Sequence, residues 1–141
     1  MLLRRSDTKI AQLAGVEAFE GCNRHQLEKI GSLVDEADFP TGSALMREGH
    51  TGRECFVVVS GEADVSIRGE RIARIGPGDI TGEMALISHQ PRSATVKART
   101  DVRALVLTSQ SLNAVLDTAP AVTRHVMRAL AERLRKVQRA A

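Results

Sequence analysis

Gly82-Glu83-Met84-Ala85-Leu86-Ile87, followed closely by Pro91-Arg92-Ser93-Ala94-Thr95-Val96, decides how the rest of this chain is read. A glycine opens a short helical turn, so backbone N–H groups and a positive helix end can face an anion with no side chain between them. Glu83, one residue into that turn, can accept a hydrogen bond from a hydroxyl. Met84 follows it, and Ala85 is small enough for a ligand to approach the backbone closely. Arg92 supplies a planar fork of donors that suits a phosphate with two free oxygens. Ser93 adds a hydroxyl beside it, and from Ala94 to Ala98 the pattern turns strand-like.

Outward from this segment, glycines punctuate the chain. Eight of the eleven lie between Gly42 and Gly82, and they separate short runs of strand composition: 54–60, 62–67 and 71–75. Two further strands are expected at 94–98 and 102–108. Short strands between turn residues predict a β-sandwich or barrel, and Gly76-Pro77-Gly78-Asp79 is the strongest turn signal. Helices are expected on both sides. Asn23 can cap one in which Leu27, Ile30, Leu33 and Val34 recur at helical spacing, with a shorter piece at 9–13 before it. Ser109 or Ser111 can cap a helix over 112–116, and Pro120 suits the first turn of a final helix running toward Arg139.

The ordered run of glycine, acid, small residue, Pro-Arg-Ser and β segment resembles the phosphate-binding cassette of cyclic nucleotide-binding domains. The resemblance covers nearly the whole chain. It implies an α+β, mainly β fold: an eight-stranded jelly-roll β-barrel with an inserted cassette, flanked by N- and C-terminal helices. The expected layout is a single domain over 1–141, with helices over 1–35, a β-roll over 36–108 holding the cassette at 82–96, and C-terminal helices with a lid over 109–141. Carried onto matching positions, the resemblance implies Glu83 on the ribose 2′-hydroxyl, Arg92 on the cyclic phosphate, and backbone amides near Gly82, Ala85 and Ser93 around the same anion, with Met84 and Ala94 completing the ligand set. Serine at 93 is compatible with cAMP and can also reach a guanine edge. Relatives with Arg-Ser-Ala-Thr resemble cAMP sensors, so cAMP is favoured over cGMP.

The final helix carries a second clue. At 100° per residue Val122, Val126, Leu130 and Val137 share one stripe, and Arg133 falls between Val122 and Val126 in projection. Arg124, Arg128, Arg135 and Arg139 lie opposite. Arg133 can snorkel, or the helix can close over a nucleotide with Arg133 on the base; the resemblance implies the second role, since a lid arginine occupies the equivalent place in a related bacterial potassium channel. No Trp or Tyr exists in the chain, and its three phenylalanines lie far from this helix in sequence. The aromatic base cap of the kinase regulatory subunit is therefore absent from it. Residues 119–141 hold six basic residues and one acid, which leaves the first 118 at −2 out of a total of +3. Such a face reads as solvated, or as a patch for nucleic acid or a membrane surface.

Hydrophobic residues at 43% and charged ones at 26% suit one soluble domain and exclude a disordered chain or an embedded one. Membrane insertion is not expected. Cys22 and Cys55 fit reduced thiols in the cytoplasm. His25, His50, His89 and His125 are isolated from one another, so no metal site and no cofactor is expected. No nucleophile elbow, zinc spacing or Walker loop is present, and an enzyme is not expected. DNA binding is not expected either, because no helix-turn-helix follows the last helix before Ala141. The chain's own initiator Met favours a stand-alone protein, and a domain cut from a larger channel or regulator would look the same. Two functions stay open: a cyclic nucleotide sensor whose C-terminal helix signals to an effector protein or a second copy in a homodimer, and a constitutive interaction module with a vestigial pocket.

Overall fold

The computed structural model describes residues 5–140. After α1 (Arg5–Ala14) and a 3-10 turn (Glu17–Phe19) comes α2 (Arg24–Leu33), then β1 (Asp35–Phe39), β2 (Ala44–Met46), β3 (Glu54–Ser60), β4 (Ala63–Ile67), β5 (Glu70–Ile75) and β6 (Ile80–Thr81). The short α3 (Glu83–Ser88) interrupts the strands. β7 (Thr95–Ala98), β8 (Val102–Thr108), α4 (Ser109–Thr118) and α5 (Pro120–Ala140) complete the chain.

The eight strands form two four-stranded antiparallel sheets, ordered β1-β8-β3-β6 and β2-β7-β4-β5. This is a two-sheet sandwich; the expected closed barrel is not found among the described residues. β3 and β8 pair along their lengths, from Glu54 opposite Thr108 to Val58 opposite Ala104. Each carries an unbroken apolar run, 55–59 in β3 and 104–107 in β8, as strand segments covered on both faces require. Cys55, Val57, Leu105 and Leu107 enter a core shared with α1, α2 and α4, while the alternate residues Phe56, Val58, Ala104 and Val106 enter the core between the sheets. The first sheet is thus the middle of three layers.

Local chemistry explains the helix ends. Asn23 Oδ1 accepts from the Gln26 N–H at 2.8 Å and Gln26 Oε1 accepts from the Asn23 N–H at 2.9 Å, a reciprocal cap worth about 1 kcal/mol. At α4 the cap is Thr108, whose Oγ1 accepts from the Ser111 N–H at 3.1 Å, in place of the expected Ser109 or Ser111. The last β8 residue therefore starts the helix, and its hydroxyl sits three residues before the donor, as a cap needs. α5 begins at Pro120 as expected and seats Val122 in the helical core. No helix among the described residues is long and apolar enough to cross a membrane.

Candidate functional site

Gly82 leaves β6 in the left-handed region, at φ 87°, and caps α3. Only glycine takes that conformation without strain. α3 ends at Ser88, capped by His89, also left-handed, and the chain returns through Pro91 to Arg92. This return is fastened to the loop between β2 and β3: the Gly49 N–H donates to the Arg92 carbonyl at 2.9 Å, and the Arg92 N–H donates to the His50 carbonyl at 2.9 Å.

Arg92 is 7% exposed and Glu83 2% exposed, unusual burial for charged residues. Arg92 Nη1 donates to the Gly82 carbonyl at 3.0 Å and Nη2 to the Glu54 carbonyl at 2.6 Å. Its guanidinium carbon lies 6.0 Å from the Phe56 ring centroid, at the outer reach of a cation–π contact. Phe56 is itself held edge-on by Phe39 with centroids 5.7 Å apart. The guanidinium lies against two glycines. A Cβ on Gly82 would be 2.6 Å from Nη1, and one on Gly52 would be 2.7 Å from Nε, from Cζ and from the Ala85 Cβ.

Burial lowers the Arg92 pKa, and the nearby Cys55, Glu54 and Glu83 partly restore it. Cys55 is pushed up to about 12, chiefly by burial, with Glu83 raising it further and Arg92 pulling it down. It is a neutral thiol at ordinary pH and no nucleophile.

Of the residues singled out in the sequence, Gly82, Ala85 and Arg92 meet in one place, Glu83 is close enough to act on Arg92 electrostatically, and Ala94 is buried beside them in the chain. Ser93 is exposed, and Met84 is 47% exposed. The Arg133 side chain, like those of Val126, Leu130 and Val137, lies outside the described residues. Sequence reasoning missed Gly52, Glu54 and Phe56. A glycine among eleven and a main-chain carbonyl carry no residue-type signal, and Phe56 reads as plain core. Among the described residues no group of His, Cys, Asp and Glu could hold a metal ion.

Residues 36–119 match the family model described as cyclic nucleotide-binding domain. The chain is 27% identical over 129 residues to a CRP-like cAMP-activated global transcriptional regulator of Mycobacterium tuberculosis, covering 88% of this chain and 58% of that protein. It is 36% identical over 110 residues to a cyclic nucleotide-gated potassium channel of Mesorhizobium japonicum, covering 78% of this chain and 30% of the channel. Among solved structures, the catabolite activator protein of Thermus thermophilus superposes with a TM-score of 0.76 at 27% identity, over 86% of this chain and 59% of that one. A cAMP-binding acyltransferase of Mycobacterium smegmatis gives 0.75 at 28% identity, over 90% and 42%. The chain therefore spans less than two thirds of each of these proteins.

Proposed function

Because the chain belongs to the cyclic nucleotide-binding domain family, we propose that it is a regulatory sensor that binds cAMP in preference to cGMP. The observation that carries this reading is a buried guanidinium whose two hydrogen bonds both go to carbonyl oxygens. Arginine has five N–H donors, so three remain for an anion. A buried cation is costly unless a charge meets it, and a cyclic phosphodiester supplies one.

In this reading the phosphate docks on Arg92 and on main-chain N–H groups near Gly82, Ala85 and Ser93. The ribose 2′-hydroxyl donates to Glu83. The Ser93 hydroxyl stands at the purine edge and tolerates adenine, and the name of the mycobacterial regulator, cAMP-activated, agrees with that preference. The site offers no nucleophile and no metal ligands, so the phosphodiester is held and not cleaved; the chain is a cytoplasmic sensor, not an enzyme. α5 then shifts over the base with Arg133 as its lid, which changes the surface offered to an effector protein or a second copy.

Isothermal titration of the purified chain with cAMP and cGMP tests the proposal. Saturable one-to-one binding of cAMP, with cGMP at least about tenfold weaker, is the expected result. Absence of saturable heat with either nucleotide would overturn it.

A further inference from the structure

A second concavity adjoins Arg92. A cleft of about 340 Å³, within the range of small-ligand sites, opens between β2 and the 47–53 loop, and its basic lining is Arg47, His50, Arg53 and Arg92 against the single acid Glu54. Gly82, Glu83, Ala85, Ser93 and Ala94 do not line it, so Arg92 is the one residue it shares with the cassette.

The basic side chains and the loop backbone are open together. Arg47 and Arg53 are exposed, and their side chains make no hydrogen bond or ion pair with the described residues. The main-chain N–H groups of Thr51, Gly52 and Arg53 donate no hydrogen bond among the described residues either. Of these, Thr51 and Arg53 line the cleft, and unpaired N–H groups beside arginine forks are donors that a tetrahedral oxyanion takes, because it offers acceptor lone pairs in several directions at once. A solvated basic patch would need neither the concavity nor the open loop backbone.

We propose that this cleft is a second anion site that takes a phosphate group, and that its occupancy is felt at Arg92. The route is short. The His50 carbonyl accepts the Arg92 N–H at 2.9 Å, Gly49 donates to the Arg92 carbonyl at 2.9 Å, and the Gly52 backbone lies against the guanidinium. A phosphate here and a cyclic phosphate in the cassette would share one cation and repel one another, so each weakens the other by the same factor. The coupling rests on the cyclic nucleotide reading; the anion site does not.

The experiment separates the two. Inorganic phosphate is titrated into the full chain without nucleotide, at constant ionic strength in chloride, and followed by phosphorus NMR. Saturable one-to-one binding is expected, weakened about tenfold by Arg47→Gln and by Arg53→Gln, the scale of one charge-assisted hydrogen bond. Both side chains are exposed, so both variants should keep the wild-type melting transition. No saturable binding, or equal binding by all three proteins, overturns the site; equal binding would place the phosphate on the cassette face of Arg92. Running glycerol 2-phosphate alongside identifies the source: tighter binding than phosphate points to an esterified metabolite, weaker binding to the free ion. In a second arm phosphate should raise the cAMP dissociation constant severalfold beyond matched chloride, and should fail to do so in R47Q/R53Q. If cAMP does not bind at all, the sensor reading falls while the first arm still decides the anion site. An unchanged cAMP constant overturns the coupling.

Discussion

Arg92 and Arg103 carry the same guanidinium in opposite settings. Arg103 lies on β8, directly across from Asp38 on β1, and reaches Asp38 at 3.4 Å as well as Glu36. Hydrogen bonding to Glu36, followed by its charge, raises the Arg103 pKa. Two carboxylates neutralise this arginine at a half-open surface, where ion pairs contribute about 0–1 kcal/mol. Arg92 is buried and donates to neutral carbonyls. Carbonyl dipoles orient a cation without cancelling it. The β1–β8 edge uses its arginine to tolerate acids in a strand, while the cassette fixes a cation in place and keeps its charge for something else.

The largest effect should come from removing each arginine in turn. Arg92→Ala is expected to weaken cAMP binding by about 2–5 kcal/mol, since the phosphate then enters a pocket without its main charge. Arg103→Ala should leave the affinity unchanged. Calorimetric titration decides, and equal losses would erase the distinction between the two sites.

Next in size is an alkaline transition. The Cys55 thiol is raised from 9.0 to about 12 in the folded chain. A raised pKa means that the stability it contributes is complete below pH 9 and is lost as pH rises toward 12, on the order of 4 kcal/mol over the window at 1.36 kcal/mol per unit. Denaturant midpoints of wild type should fall more steeply between pH 9 and 12 than those of Cys55→Ala. Parallel curves would show that the thiol ionises without cost and that the pocket is wetter than Arg92 implies.

Two glycines at similar φ sharpen the geometry. Gly82 (φ +87) faces Arg92, whereas a Cβ on Gly69 (φ +81) would meet nothing within 4 Å. Gly69→Ala should cost about 1 kcal/mol, the left-handed penalty alone. Gly82→Ala should cost about 1–3 kcal/mol more, through the clash with the guanidinium, and should also weaken nucleotide binding. Thermal melts of the pair give the difference directly.

The lid should contribute less. Arg133→Ala is expected to speed dissociation of a fluorescent cAMP analogue by about 0.5–2 kcal/mol in barrier. Arg135, exposed and 3.5 Å from Glu132, is the matched control. Equal stopped-flow rates would remove Arg133 from the site. The smallest effect belongs to the open side of the molecule, where the Thr41 N–H and hydroxyl donate to Asp101 and hold its carboxyl below the usual range. A depressed pKa gives stability that is present at neutral pH and lost as pH falls through it. Thr41→Val keeps the N–H and removes the hydroxyl, so the Asp101 pKa followed by NMR should rise; an unmoved value would assign the whole depression to the backbone bond.

The cassette was legible because its glycine, acid, small residue and arginine are near neighbours in the chain. The partners that orient Arg92 were not. Glu54 contributes a carbonyl that every residue type possesses, and Gly52 lies far before Arg92 in the chain, so only folding brings them together. The same holds for the strands. β3, β4, β5, β7 and β8 have apolar or alternating patterns, but Asp35-Glu36-Ala37-Asp38-Phe39 is acid-rich and carries neither; β8 imposes pairing on it, and Arg103 offsets its charges. β2 and β6, three and two residues long, are too short to carry a period.

The alternation of β3 and β8 between two cores has a consequence for how such a domain can diversify. The helical cluster and the inter-sheet cluster have no buried residue in common; they touch through the two faces of the same strands. Substitutions at every second residue of β3 and β8 can therefore repack the outer helices while the inter-sheet core on the reverse face keeps its packing. One pair of strands lets the helical layer and the inter-sheet core drift at separate rates.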